Sequence, residues 1–246
     1  MSALSPTLDI ETPRRAMADT TRCQVESLLD DDTLAAARAA IDAVPRWTLV
    51  TKLNGRHIDL DSAAMGQQSP AQKAEFQRHV DAEARRGFGY LYDTYSIYDK
   101  WHRGELRREV PALCDLFELI NSDRFLDPMR TILGAPDIAF ADAQLTRYTR
   151  GHFLTTHDDG VAGKNRVAAY VLTLSDGWKK GWGGLLEFYG PDGSIETAFV
   201  PRGNTLSMFK VPQPHAVTRV GDKVRAARVS ITGWLRTGTD PGPGDS

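Results

Sequence analysis

Thiols are nearly absent from this chain: Cys23 and Cys114 are the only two cysteines in 246 residues. That excludes a disulfide framework and the clustered thiolates of a structural zinc site, so any metal must be held by nitrogen and oxygen. No stretch approaches the roughly 20 consecutive apolar residues of a membrane-spanning helix, and the opening MSALSPTLDIETPRRAMADTTRC has no apolar signal core. A soluble, cytoplasmic protein without a membrane partner is expected. Charge of one sign is missing too: 30 Lys and Arg against 32 Asp and Glu give a formal net charge of −2, with no general attraction for nucleic acid. No internal repeat is visible, and nothing in the pattern sets an oligomeric state.

With 41% hydrophobic and 25% charged residues, the chain has the composition to bury one substantial core. Residues 1–23, polar and carrying Pro6 and Pro13, read as a flexible N-terminal arm. A single domain is expected over residues 24–236, with 24–135 mainly helical support and 136–236 a jelly-roll core. Leu34, Ala37, Ala40 and Ile41 recur at helical spacing within Asp32–Val44. Ser69 and Pro70 open a long polar helix through Arg86, a third helical stretch runs from Leu106 to Ile120 with a break near Pro111, and Ser122 and Gly134 bracket Asp123–Leu133. Residues 237–246 (TGTDPGPGDS) read as a disordered tail.

After Asp137 short β-branched and aromatic runs alternate with Gly, Asp and Pro clusters. The expected strands are Ala143–Thr149, Phe153–His157, Val167–Leu174, Leu185–Tyr189, Ile195–Val200, Thr205–Lys210, Ala216–Val220 and Ala227–Leu235. So many short strands in so little chain point to an antiparallel sandwich or jelly roll, and the whole to an α+β fold.

His157 and Asp159 stand two apart at the end of one strand, so on an extended backbone both side chains leave the same face. His215 follows a later strand. Two imidazoles and one carboxylate make a facial triad, which leaves coordination positions open and suits Fe(II). In the last strand Arg228, Ser230, Thr232 and Trp234 share one face, while Val229, Ile231 and Leu235 take the other against the helices. Arg228 then points into the barrel, where a guanidinium requires an anionic partner. Among the rivals, Asp158 projects from the opposite face and reads as solvated, His152 as a turn or substrate-facing residue, and Arg225 as the competitor of Arg228.

The order RYTRGHFLTTHDD, RVAAYVLTLSDGW, WGGLLEFY, VPRGNTLSMF, PHAV and RVSITGW resembles the 2-oxoglutarate/Fe(II) oxygenase superfamily, in its prolyl-4-hydroxylase-like branch, over residues 141–236. The resemblance implies a double-stranded β-helix, or jelly roll, with N-terminal supporting helices. It implies Fe(II), 2-oxoglutarate and O₂, and hydroxylation of an amino-acid side chain, proline in a protein or peptide first, with succinate and CO₂ released. His157, Asp159 and His215 would then be the catalytic iron ligands, Arg228 the anchor of the distal carboxylate, and Tyr148, Thr173 and Ser230 its neighbours. Thr173 stands where several relatives have a tyrosine. Gly183 and Gly184 resemble paired glycines beside the cavity, followed by Leu186 as an apolar wall. Asp159 argues against a halogenating relative, and Trp234 stands where nucleic-acid demethylases carry a second arginine. The alternatives are an oxygenase of a free amino acid or small metabolite, and a jelly-roll metal protein that is non-catalytic or independent of 2-oxoglutarate. The mouth is expected from residues 160–165, Trp178–Trp182 and the aromatic run 87–101, as lid or as core.

Overall fold

The computed structural model describes residues 3–244. Eight helices lie in the first part: α1 (Glu11–Thr20), α2 (Asp31–Asp42), α3 (Ser62–Gln67), α4 (Pro70–Ala84), α5 (Ile97–His102), α6 (Leu106–Glu109), α7 (Pro111–Ile120) and α8 (Asp123–Leu133). Their boundaries follow local chemistry. Ser69 and Gln72 form a reciprocal capping box at the start of α4, with Pro70 in its first turn. In α8, Phe125, Leu126, Met129, Ile132 and Leu133 form one buried stripe, and Gly134 ends the helix in the left-handed conformation at φ 62°. Ser122 is not a side-chain cap, because its hydroxyl donates instead to the Leu119 carbonyl at 2.6 Å.

Thirteen strands form one curled antiparallel sheet: β1 (Arg22–Val25), β2 (Thr48–Leu53), β3 (Arg56–Asp61), β4 (Tyr90–Ser96), β5 (Ile138–Ala141), β6 (Gln144–Tyr148), β7 (Phe153–His157), β8 (Arg166–Thr173), β9 (Leu186–Tyr189), β10 (Ile195–Phe199), β11 (Thr205–Lys210), β12 (His215–Val217) and β13 (Arg228–Thr237). The order β1-β11-β8-β13-β6-β4-β7-β12-β9-β10 folds the sheet over on itself, with β2 and β3 joined to β4 and β5 to β13. Alternation divides each strand between two environments. On β13, Val229, Ile231 and Leu235 pack with Leu116, Phe125 and Ile132 of the helices in the larger core, while Arg228 and Trp234 face the interior of the roll. Tyr148, Val171, Phe188, Phe209 and Val217 line that interior as a second core. No described helix is long and apolar enough to cross a membrane.

Four strands precede residue 136 where helical support was expected, and β5 was also missed. The arm is not loose: α1 buries Met17, and β1 pairs with β11 and buries Cys23 and Val25. A strand of four residues is too short for its period to stand out. The tail is also docked as far as it is described. Asp240 accepts the Tyr98 hydroxyl and lies 3.2 Å from His102 Nε2, and the Gly244 amide donates to Asp99 at 3.1 Å. Residues 1–2 of the expected arm and 245–246 of the expected tail lie outside the described residues.

Candidate metal centre

Cross-strand pairing brings the two histidines together. His215 on β12 lies directly opposite His157 at the end of β7, and their ring centroids are 4.1 Å apart. Asp159 then closes the group, with one carboxylate oxygen 3.3 Å from His157 Nε2 and the other 3.5 Å from His215 Nε2. One ligand atom from each residue falls within 4.8 Å of the others, a span that one ion can bridge. The strand ends at His157, however, and Asp159 sits at φ 62° rather than on extended backbone. Aspartate tolerates this left-handed conformation better than most residues. The carboxylate thus reaches the histidines by a turn of the main chain, not by strand alternation.

The imidazoles are held in a fixed tautomer. His157 Nδ1–H donates to the Thr155 carbonyl at 3.0 Å and His215 Nδ1–H to the Gln213 carbonyl at 2.7 Å, which leaves both Nε2 lone pairs facing Asp159. Burial, and then the neighbouring His157, push His215 down to about 4, so it stays neutral at physiological pH. Burial alone would raise the Asp159 carboxyl. The neighbouring His157 and His215 outweigh it and hold the group below its ordinary range. Two imidazole nitrogens and an ionised carboxylate, with no thiolate among the described neighbours, are a donor set suited to a divalent metal such as Fe(II).

Lining the same cavity, of about 330 Å³, is Arg228, directly opposite Tyr148 across the β13–β6 pair and 3% exposed. Its Nε and one Nη have no partner among the described residues, and its guanidinium carbon lies 5.3 Å from the Tyr148 ring. Burial lowers this group to about 10, which still leaves it charged at neutral pH. Gly184, at φ 65°, leaves the space beside it: a Cβ there would meet the Trp178 ring at 3.1 Å and Arg228 Cδ at 3.5 Å. Ser230 and Thr173 face each other on β13 and β8, both buried, but neither borders the cavity, and the Ser230 hydroxyl has no described partner. Arg225 is exposed and outside the cavity.

The mouth differs from expectation. Neither residues 160–165 nor Trp178–Trp182 border it, because Trp178 is buried and donates its ring N–H to the Gly183 carbonyl at 2.8 Å. The aromatic run supplies the wall instead, as strand β4 rather than as a lid. Tyr90 and Tyr92 face the cavity with Phe88, and Tyr92 stacks on Tyr148 at 5.2 Å between centroids. Across from them, Arg166 lies flat on Trp234 at 3.4 Å and donates to the Asp159 carbonyl at 3.1 Å. Sequence reasoning assigned no role to Arg166, although it directly precedes the expected strand Val167–Leu174 and opens β8. Asp158 is exposed, and His152 borders a different cavity behind the sheet.

Residues 143–236 match the family model of the 2OG-Fe(II) oxygenase superfamily. A prolyl 3-hydroxylase, OGFOD1 of Xenopus laevis, is 35% identical over 101 residues, covering 38% of this chain and 19% of its own length. Sudestada1 of Drosophila melanogaster, also a prolyl 3-hydroxylase, is 28% identical over 114 residues, 41% of this chain and 21% of its own. The matched region therefore spans about a fifth of these relatives. The crystal structure of a Pseudomonas putida prolyl-4-hydroxylase superposes with a TM-score of 0.58 at 18% identity, covering 94% of this chain and 100% of the other. A Trichoplax adhaerens prolyl hydroxylase, solved with a hypoxia-inducible-factor peptide fragment, gives 0.59 at 15% identity over 93% and 92%. The fold is thus the double-stranded β-helix. Residues 143–236, which hold every residue of the His-Asp-His group and Arg228, are thus the part of the chain that is similar to the 2OG-Fe(II) oxygenase superfamily.

Proposed function

We propose that the protein is an Fe(II)- and 2-oxoglutarate-dependent dioxygenase that hydroxylates a prolyl residue in a protein or peptide. The observation that carries the reading is one cavity with two complementary needs: a His157-Asp159-His215 group fit for a metal, and Arg228, buried with no anionic partner among the described residues. A dicarboxylic 2-oxo acid answers both, with one end for the metal and a distal carboxylate for the guanidinium fork. Bound there, Fe(II), 2-oxoglutarate and O₂ supply the oxidising chemistry that places oxygen on a C–H bond, with release of succinate and CO₂.

The protein's own part is positioning. His157 and His215 keep their Nε2 lone pairs inward through the carbonyls that hold Nδ1, and Arg166 steadies the Asp159 main chain. Tyr148 lies opposite Arg228, its ring 5.3 Å from the guanidinium carbon. Phe88, Tyr90, Tyr92 and Trp234 give flat apolar walls that fit a pyrrolidine ring and keep water from the reacting carbon. The similarity to prolyl hydroxylases, one solved with a peptide, supports a peptide over a free amino acid.

His157→Ala should abolish both iron retention and succinate formation; a variant that keeps both refutes the triad. Mass spectrometry of prolyl peptides, free amino acids and small metabolites incubated with the iron-loaded enzyme should find one added oxygen on peptide proline. Oxygen appearing only on the other two classes replaces the peptide reading.

A further inference from the structure

The catalytic cavity does not end at its aromatic mouth. A groove of about 340 Å³ continues from it, and Tyr92, Gln144, Thr232 and Trp234 border both spaces. Along the groove the rings give way to the short hydroxyl side chains of Thr48, Thr94 and Ser96 on β2 and β4. A floor of hydroxyls suits a backbone that needs hydrogen-bond partners at intervals along its length, as an extended peptide does. A free amino acid held in the catalytic cavity would leave this space unfilled.

The groove is also one-sided in charge. Asp59, Asp99 and Asp142 line it, and no lysine or arginine does. Asp142 is committed, since its carboxylate accepts the Trp234 amide at 2.7 Å and faces Arg236 at 3.5 Å. Asp59 is available: its side chain is 64% exposed and its ion-pair partner is His57. Asp99 is fixed in place, one oxygen taking the backbone N–H of Gly244 at 3.1 Å and the other the Ser96 hydroxyl at 3.0 Å, and it adds a second carboxylate to the lining.

We propose that this groove holds the flank of the peptide substrate and selects prolyl peptides that carry lysine or arginine within a few residues of the target ring. The inference rests on the prolyl reading above and adds its specificity. Cationic side chains would meet Asp59 and Asp99, whereas an acidic flank would bring like charges together. These carboxylates are solvated, so each contributes a few-fold at most, and salt should weaken the effect.

The test uses three fluorescent prolyl peptides that differ only in flanking lysine, glutamine or glutamate. Binding to the protein is followed by anisotropy and oxygenation by mass spectrometry. Affinity and kcat/KM should fall in the order lysine, glutamine, glutamate, with about tenfold between the extremes at low ionic strength and less at high salt. Asp59→Lys should shrink or invert the lysine-to-glutamate ratio, and Asp59→Lys combined with Asp99→Lys should invert it. Equal values for the three peptides, or a ratio that neither variant changes, overturn the groove assignment and leave the prolyl reading standing. If none of the three binds or gains oxygen, the prolyl reading falls and this inference with it.

Discussion

Two arginines on strand β13 are each 3% exposed, yet they live in opposite circumstances. Arg236 is fully engaged: Nε donates to the Lys164 carbonyl at 2.8 Å, Nη1 lies 3.5 Å from Asp142, and the guanidinium rests over Phe140. Arg228, eight positions earlier by residue number, has the Tyr148 ring beside it and no carboxylate among the described residues. A buried charge costs several kcal/mol unless it is paired. At Arg236 the fold supplies the partner. At Arg228 it supplies a cavity shared with the His157-Asp159-His215 group, and under the proposed function the difference separates a structural cation from one that meets a ligand.

The structural end of this comparison should give the largest effect. Asp142→Ala removes a buried carboxylate that meets both Arg236 and the Trp234 amide and should cost about 3–5 kcal/mol in denaturant unfolding; a loss below about 1 kcal/mol would mean that these contacts are not the main support. A subtler test uses pH. Burial pushes Asp142 up to about 6, against an ordinary carboxylate near 4, although the Trp234 amide and Arg236 oppose the shift. The folded state therefore holds this proton more tightly than the unfolded one. Its stabilising contribution is fully present below about pH 4 and is lost as pH rises through about 6. Wild-type stability relative to Asp142→Asn should fall by up to about 3 kcal/mol across that window, and a pH-independent difference would refute the elevated carboxyl.

Much of this arrangement was legible without coordinates, for identifiable reasons. Phe153–His157 and Thr205–Lys210 coincide with β7 and β11 because alternation and turn residues agree there. Arg228 is preferred to Arg225 because the spacing of Arg228, Ser230 and Trp234 matches the family pattern and Arg225 falls in the polar bend GDKVR; of the two, only Arg228 borders the cavity. Strand β3 could not be read, since its pattern of Arg, His and Asp has no buried face to leave a period. Strand β4 could have been: Tyr90, Tyr92 and Thr94 alternate with Leu91, Asp93 and Tyr95, of which the second set is buried. Aromatic density masked that period. Spacing led to Asp159, but by an extended geometry that the chain does not adopt, because a turn's φ is invisible in residue type alone. The docking of the Asp240 region on Tyr98 and His102 was hidden for the same reason, since Pro-Gly composition reports local propensity and not tertiary partners.

The functional end should respond in the opposite way. Arg228→Met removes a cation with no carboxylate partner among the described residues, and methionine fills similar apolar space, so unfolding free energy should stay level or rise by up to about 3 kcal/mol, relief of desolvation outweighing the lost contact with the Tyr148 ring. Binding should not be spared. Without the guanidinium, the distal carboxylate of 2-oxoglutarate would enter a buried site with no counter-charge, and its affinity should weaken at least about tenfold. Both quantities can be followed on one sample, by denaturant unfolding of the metal-free protein and by anaerobic titration of the iron-loaded protein with 2-oxoglutarate, using the weak visible band of the chelate. A variant that unfolds as readily as Asp142→Ala would make Arg228 a structural residue like Arg236. A stable variant with unchanged 2-oxoglutarate affinity, while Arg225→Ala loses it, would move the anchor to Arg225.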